Sequence, residues 1–123
     1  MKKKTIALIE DEAALAKIIT EELTDAGFSV VLASDGIEGV NLVKTRKPDL
    51  VLLDLLLPKK HGFDVLKELK NMPDTATIPV IILTLLGSDE DVSKGLELGA
   101  DDYLVKSQYG INEIIEKVKQ KLW

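Results

Sequence analysis

Leu50-Val51-Leu52-Leu53-Asp54 is a run of four apolar residues closed by an acid. A strand with one wet face alternates apolar and polar side chains. An unbroken apolar run of this length instead implies burial on both faces, as in a parallel sheet covered by helices on each side. Thr5 to Ile9, closed by Glu10 and Asp11, and Val80 to Leu83, closed by Thr84, have the same character. Val30 to Ala33 and Tyr103 to Val105 are also of strand length, the latter closed by Lys106. Five strands are therefore predicted.

Between them lie segments with helical spacing: Leu15, Ile18, Ile19 and Leu23, then Val65, Leu66 and Leu69, and finally Ile111, Ile114, Ile115, Val118 and Leu122. Asp35 with Glu38, and Ser88 with Asp91, have the spacing of helix N-terminal caps. Gly27, Pro48, Pro73 and Gly99 supply the stops. Gly36 to Lys47 is predicted helical too, although Gly39 costs about 1 kcal/mol relative to Ala and Leu42 interrupts a clean apolar stripe. No repeat or linker stands out, so residues 1–123 are expected to form one domain. Alternating strands and helices make an α/β fold, and five units are too few for an eight-stranded barrel. The expected architecture is the flavodoxin-like (βα)5 three-layer sandwich with parallel strand order 2-1-3-4-5. Its crevice opens where that order reverses, between strands one and three.

A chain of 123 residues buries roughly two-thirds of its unfolded surface, enough for a core without covalent staples. Hydrophobic residues make up 46% and aromatics only 4%, so that core is built from Leu, Ile and Val. The absence of cysteine excludes disulfides and thiolate metal sites. The start, Met1-Lys2-Lys3-Lys4-Thr5, is followed by too short an apolar run for a signal peptide, and nothing approaches membrane-spanning length. A cytoplasmic protein without membrane contact is expected. A net charge of −5 with dispersed lysines offers no basic stripe for a phosphate backbone, which argues against direct nucleic-acid binding.

The polar residues closing the strands are Glu10 and Asp11, Asp54, Thr84 and Lys106. In a parallel sheet the carboxyl ends share one edge, so these groups converge on the crevice although they are distant in sequence. Each has a bland reading alone. Glu10 and Asp11 could be acids at a helix start, Asp54 a turn residue before Pro58, Thr84 an ordinary strand end, and Lys106 a solvated side chain. Together they are hard to explain so. Clustered carboxylates raise one another's pKa unless cations compensate, and Mg²⁺ with Lys106 would do that. Mg²⁺ takes one or two carboxylates, keeps several waters and completes its shell with phosphate oxygens. A carboxylate is a competent nucleophile for phosphorus when cations neutralise the transferring group. Thr84 and Lys106 would then bind phosphoryl oxygens.

These residues resemble those of bacterial two-component response regulator receivers over essentially the whole chain. The resemblance rests on Ile9-Glu10-Asp11-Glu12, Asp35-Gly36, Pro48-Asp49-Leu50-Val51-Leu52-Leu53-Asp54, Pro58 with Gly62, Thr84, and Gly95-Leu96 through Gly99-Ala100-Asp101-Asp102-Tyr103-Leu104-Val105-Lys106. It implies Asp54 as phosphoacceptor, with Mg²⁺ held by Asp11, Asp54 and the backbone carbonyl of Leu56, and with Glu10 assisting directly or through water. It implies Thr84 and Tyr103 as the switch pair, and a fourth helix, fifth strand and fifth helix that carry the change to a downstream protein. The phosphoryl donor would be a sensor histidine kinase or a phosphotransfer protein. The chain departs from the family at Ser107, where proline is usual, and at Leu85, where a small residue is usual. Leu56 and Leu86 are expected to form apolar lips that slow hydrolysis of the phosphorylated state. His61 is expected to be a solvated loop residue.

Other readings stay open on the residues alone. A small Mg²⁺-dependent phosphohydrolase would use the same Asp, Thr and Lys, but needs a second Asp where Leu56 stands, so turnover of an external substrate is not expected. A degenerate receiver, never phosphorylated, would serve only as an interaction module. Nucleotide binding lacks its Gly-rich phosphate loop. No output segment follows Leu122 and Trp123, so the chain is expected to act alone or to be cut from something longer.

Overall fold

Strands β1 (Thr5–Ile9), β2 (Ser29–Ala33), β3 (Leu50–Leu53), β4 (Val80–Thr84) and β5 (Asp102–Val105) alternate with helices α1 (Ala13–Asp25), α2 (Gly36–Arg46), α3 (Gly62–Asn71), α4 (Asp89–Glu97) and α5 (Ile111–Leu122). This computed structural model describes residues 2–123. The strands form one sheet in the order β2-β1-β3-β4-β5, every pairing parallel, which is the expected flavodoxin-like arrangement.

Both faces of the sheet are covered, and strand periodicity divides the core accordingly. Ile6 and Leu8 of β1 pack with Leu50 and Leu52 of β3 against Ala16, Ile19 and Leu23 of α1 and Ile114, Ile115 and Val118 of α5. Ala7 and Ile9 pack with Val51 and Leu53 against Val40 and Val43 of α2 and Val65, Leu66 and Leu69 of α3. All four residues of β3 are wholly buried, which explains the unbroken apolar run. β2, at the edge, buries only Ala33 fully.

The caps form where the sequence places them. Asp35 Oδ1 accepts from the Glu38 amide at 2.7 Å, and Ser88 Oγ from the Asp91 amide at 3.1 Å. α2 exists despite its poor propensity because tertiary contact overrides it. An ideal Cβ on Gly39 would stand 2.8 Å from Ile9 Cδ1, so the residue that weakens the helix is the one that lets it lie on β1. Leu42 is half-buried at the edge of the same cluster.

Three boundaries differ from expectation. β2 starts at Ser29, β5 starts at Asp102, and β4 runs on through Thr84, which pairs with Val105 and is therefore the last strand residue and not the first after it. A 3₁₀ turn over Lys106–Gln108 follows β5 and was not foreseen.

Candidate metal and phosphoryl-transfer site

β1 and β3 are neighbours, and their register aligns Ile9 with Leu53, so the residues that follow, Glu10 and Asp54, leave the sheet side by side. The ladder continues one step past both strands, with the Glu10 amide donating to the Ala33 carbonyl and the Asp54 amide to the Ile9 carbonyl, each at 3.0 Å. That fixes the backbone of both acids. Lys106 follows β5 on the far side of β4, yet its ammonium reaches across to 2.8 Å from Glu10 Oε1 and 3.0 Å from Asp54 Oδ2. Glu10 and Asp54 are buried, while Asp11 faces solvent at the mouth. One carboxylate oxygen from each of Glu10, Asp11 and Asp54 lies within 4.8 Å of the others.

Burial pushes the Glu10 carboxyl above its ordinary value. The nearby charge of Asp54 adds to that shift, and the hydrogen bond from Lys106 offsets it only in part. Burial works the other way on Lys106, but its bonds to Glu10 and Asp54 prevail and hold its ammonium above the ordinary lysine value. One cation thus serves two buried anions and a third acid at the mouth, an arrangement short of positive charge. A hard divalent cation fits this donor set, which offers only oxygens. The Leu56 carbonyl accepts no hydrogen bond from the described residues, and the Leu56 amide donates to Asp54 Oδ1 at 3.2 Å. That carbonyl is therefore available as a further oxygen donor.

Thr84 is fully enclosed at the end of β4. Its Oγ1 accepts a long bond, 3.5 Å, from the Leu86 amide, and no hydrogen bond joins it to Asp54 among the described residues. The Tyr103 ring is turned inward, its hydroxyl donating to the Leu86 carbonyl, and burial pushes its phenol up to about 12. Of the two leucines expected to form apolar lips, Leu56 is exposed, whereas Leu86 is half-buried and packs against the cluster that contains Tyr103; Leu85, which stands where a small residue is usual, is exposed. Of the expected pair, Leu56 alone stands at the surface beside Asp54, its amide donating to Asp54 Oδ1. His61 is exposed as expected, but it also caps α3, its Nδ1 accepting from the Phe63 amide at 3.0 Å. Sequence reading missed that cap, since histidine is not a usual capping residue, and missed the contact of Lys59 with Asp35 at 3.5 Å.

The pattern of the response regulator receiver domain matches residues 6–119. The chain is 41% identical over 117 residues to the DNA-binding dual master transcriptional regulator RpaA of Synechocystis, an alignment covering 95% of this chain and 48% of that protein. The chain spans about half the length, or somewhat less, of the curated relatives it matches, 40% to 50% in the cases compared. Among solved structures, the phosphorylated cyanobacterial phytochrome response regulator RcpA superposes with a TM-score of 0.81 at 33% identity, covering 97% of this chain and 91% of that one. The Mn²⁺-bound form of response regulator Rcp1 superposes with a TM-score of 0.80 at 31% identity, covering 95% and 90%. A match across nearly the whole sheet and both helical layers, joined to an acidic crevice with a half-buried lysine, leaves one conclusion: this chain belongs to the response regulator receiver domain family, whose standard function is phosphorylation-dependent signalling.

Proposed function

We propose that Asp54 is the phosphoacceptor of a Mg²⁺-dependent switch. The observation that carries this reading is the single ammonium of Lys106 held 2.8 Å from Glu10 and 3.0 Å from Asp54 beside the exposed Asp11. Glu10, Asp11, Asp54 and the Leu56 carbonyl would hold the ion, the acids supplying charge and the carbonyl a neutral donor. When bound, Mg²⁺ neutralises negative charge on the transferring phosphoryl group and the surrounding carboxylates. A carboxylate oxygen of Asp54 attacks phosphorus, the bond from phosphorus to the leaving group breaks with its electron pair, and an acyl phosphate remains on Asp54. Lys106 passes from the Asp54 carboxylate to a phosphoryl oxygen, and Thr84 Oγ1 gives up its long bond to Leu86 to donate to another.

The phosphorylated carboxylate carries about −1.5 to −2 charges, which biases a two-state packing of α4, β5 and α5. α4 suits that part because Gly95 is its one fully buried residue. The donor is a sensor histidine kinase or a phosphotransfer protein, and the α4-β5-α5 face meets a downstream protein. The chain works in the cytoplasm, catalyses no turnover of an external substrate, because Leu56 stands where a hydrolase needs a second acid, and makes no direct contact with nucleic acid. Residues 1–123 act as one receiver unit. The test is intact mass after incubation with Mg²⁺ and a small acyl phosphate. A phosphate adduct in wild type and none in Asp54→Ala is expected. An unmodified wild-type mass would point to the degenerate, never phosphorylated form, and steady release of inorganic phosphate at many turnovers per chain would point to a hydrolase.

A further inference from the structure

A backbone carbonyl can serve as a ligand only if its loop holds still, and residues 55–61, which carry Leu56, are neither helix nor strand. Short internal bonds shape the loop: Leu57 and Gly62 amides donate to the Leu55 carbonyl at 3.0 and 2.8 Å, and the Lys60 amide to the Pro58 carbonyl at 2.8 Å. Lys60 is also paired with Glu68 of α3.

The loop's other support is the first turn of α2. The Gly36 amide donates to the Pro58 carbonyl at 3.1 Å. A Cβ on Gly36 would stand 2.1 Å from the Lys60 carbonyl oxygen, so the loop backbone rests directly on the helix backbone and leaves no room for a side chain. Lys59 has φ +69°, in the left-handed region that strains a residue with a Cβ. Such strain persists only where surroundings hold it, and the one charged partner of Lys59 among the described residues is Asp35. Asp35 divides its oxygens between two tasks: Oδ1 caps α2 and Oδ2 meets Lys59.

Resting on the metal reading above, we propose that the first turn of α2 positions the metal-bearing loop, with Gly36 and Asp35 as positioning residues that act through Pro58, Lys60 and Lys59. The ammonium of Lys59 is well exposed, so the ion pair adds little, and the close backbone contact at Gly36 carries most of the effect.

Two measurements test this: Mg²⁺ affinity by calorimetry, and amide hydrogen exchange of the metal-free protein. Gly36→Ala is expected to weaken Mg²⁺ binding about tenfold, as loss of an outer support to a metal site does. In the metal-free chain it should speed exchange at Leu57, Lys60 and Gly62 while leaving Leu8 and Leu52 in the sheet unchanged. Asp35→Asn keeps the cap and removes only the charge, for an expected loss of about twofold to threefold. Lys59→Gln should match it, and Lys59→Arg should bind as wild type does. If Gly36→Ala fails to fold, the Asp35 and Lys59 variants carry the test through the same exchange signals. Unchanged loop exchange, or faster exchange with unchanged Mg²⁺ affinity, would overturn the proposal. Asp11→Asn separates the two readings. If it loses Mg²⁺ while the loop variants bind normally, only the positioning role fails; if it binds Mg²⁺ as wild type does, the metal site itself is misassigned and the positioning role falls with it.

Discussion

Lys106 is the residue on which the charge balance of the crevice turns, because among the described residues it is the sole cation touching the buried pair Glu10 and Asp54. Lys106→Met would leave two buried carboxylates facing each other without compensation. The metal-free protein is expected to lose about 3 kcal/mol in urea unfolding, with part recovered on adding Mg²⁺. Glu10 sets a pH dependence of a less common sign. Its folded-state pKa lies above the ordinary 4.5, so the native state holds the proton more tightly than the unfolded chain does. Its contribution to stability is favourable at low pH and is lost as pH rises from 4.5 through the raised value. Metal-free Glu10→Gln should show a flatter urea midpoint across that window, and a midpoint curve identical to wild type would remove Glu10 as the cause. Lys106 behaves oppositely in origin but alike in direction. Its raised pKa gives stability that is complete below the ordinary 10.5 and lost as pH rises through the folded value. Leu56 is half exposed beside Asp54, where on the proposed reading its side chain would shed water from an acyl phosphate. Leu56→Asn is expected to shorten the phosphorylated lifetime severalfold and Leu86→Ala, whose side chain packs inward, to change it less. Equal lifetimes in all three proteins, followed by phosphate release, would remove the lip from the account.

At the scale of elements, α2 shows how packing reverses a local preference. Alanine is the better helix former by about 1 kcal/mol, yet Gly39→Ala is expected to destabilise the chain by about 1–3 kcal/mol, since its Cβ would meet the Ile9 side chain at 2.8 Å. A higher melting temperature for that variant would show that α2 can lift off β1 without penalty. The strands were legible because burial on both faces leaves so plain a mark on sequence, and the caps at Asp35 and Ser88 because short polar side chains there have few other uses. Edges were less so. Whether Ser29, Thr84 and Asp102 join the sheet depends on how far the neighbouring strand extends, which is information held elsewhere in the chain. The cap supplied by His61 and the left-handed backbone at Lys59 were illegible for a related reason, as neither residue type favours the conformation it adopts.

For the whole molecule, the arrangement predicts where a modification at one crevice should be felt. α4 is held by Gly95 with half-buried Val92, next to a β5 whose Tyr103 is bonded to the Leu86 carbonyl, while β3 is wholly buried and β1 is buried from Ile6 to Ile9. Phosphorylation should therefore alter amide exchange in α4 and in residues 84–88 and leave β1 and β3 unchanged, measured on the same sample before and after acyl phosphate. A uniform change across the sheet would contradict a local switch. Sequence by itself determined the alternation of strands and helices, the parallel order and the set of side chains at one edge. Burial, period and strand direction are properties of the chain that any folded form must honour. Only tertiary structure decided that Lys106 spans β4 to reach both acids, that Leu86 turns inward while Leu85 does not, and that α2 props the loop after Asp54. Those are distances between residues far apart in sequence, and no local preference encodes them.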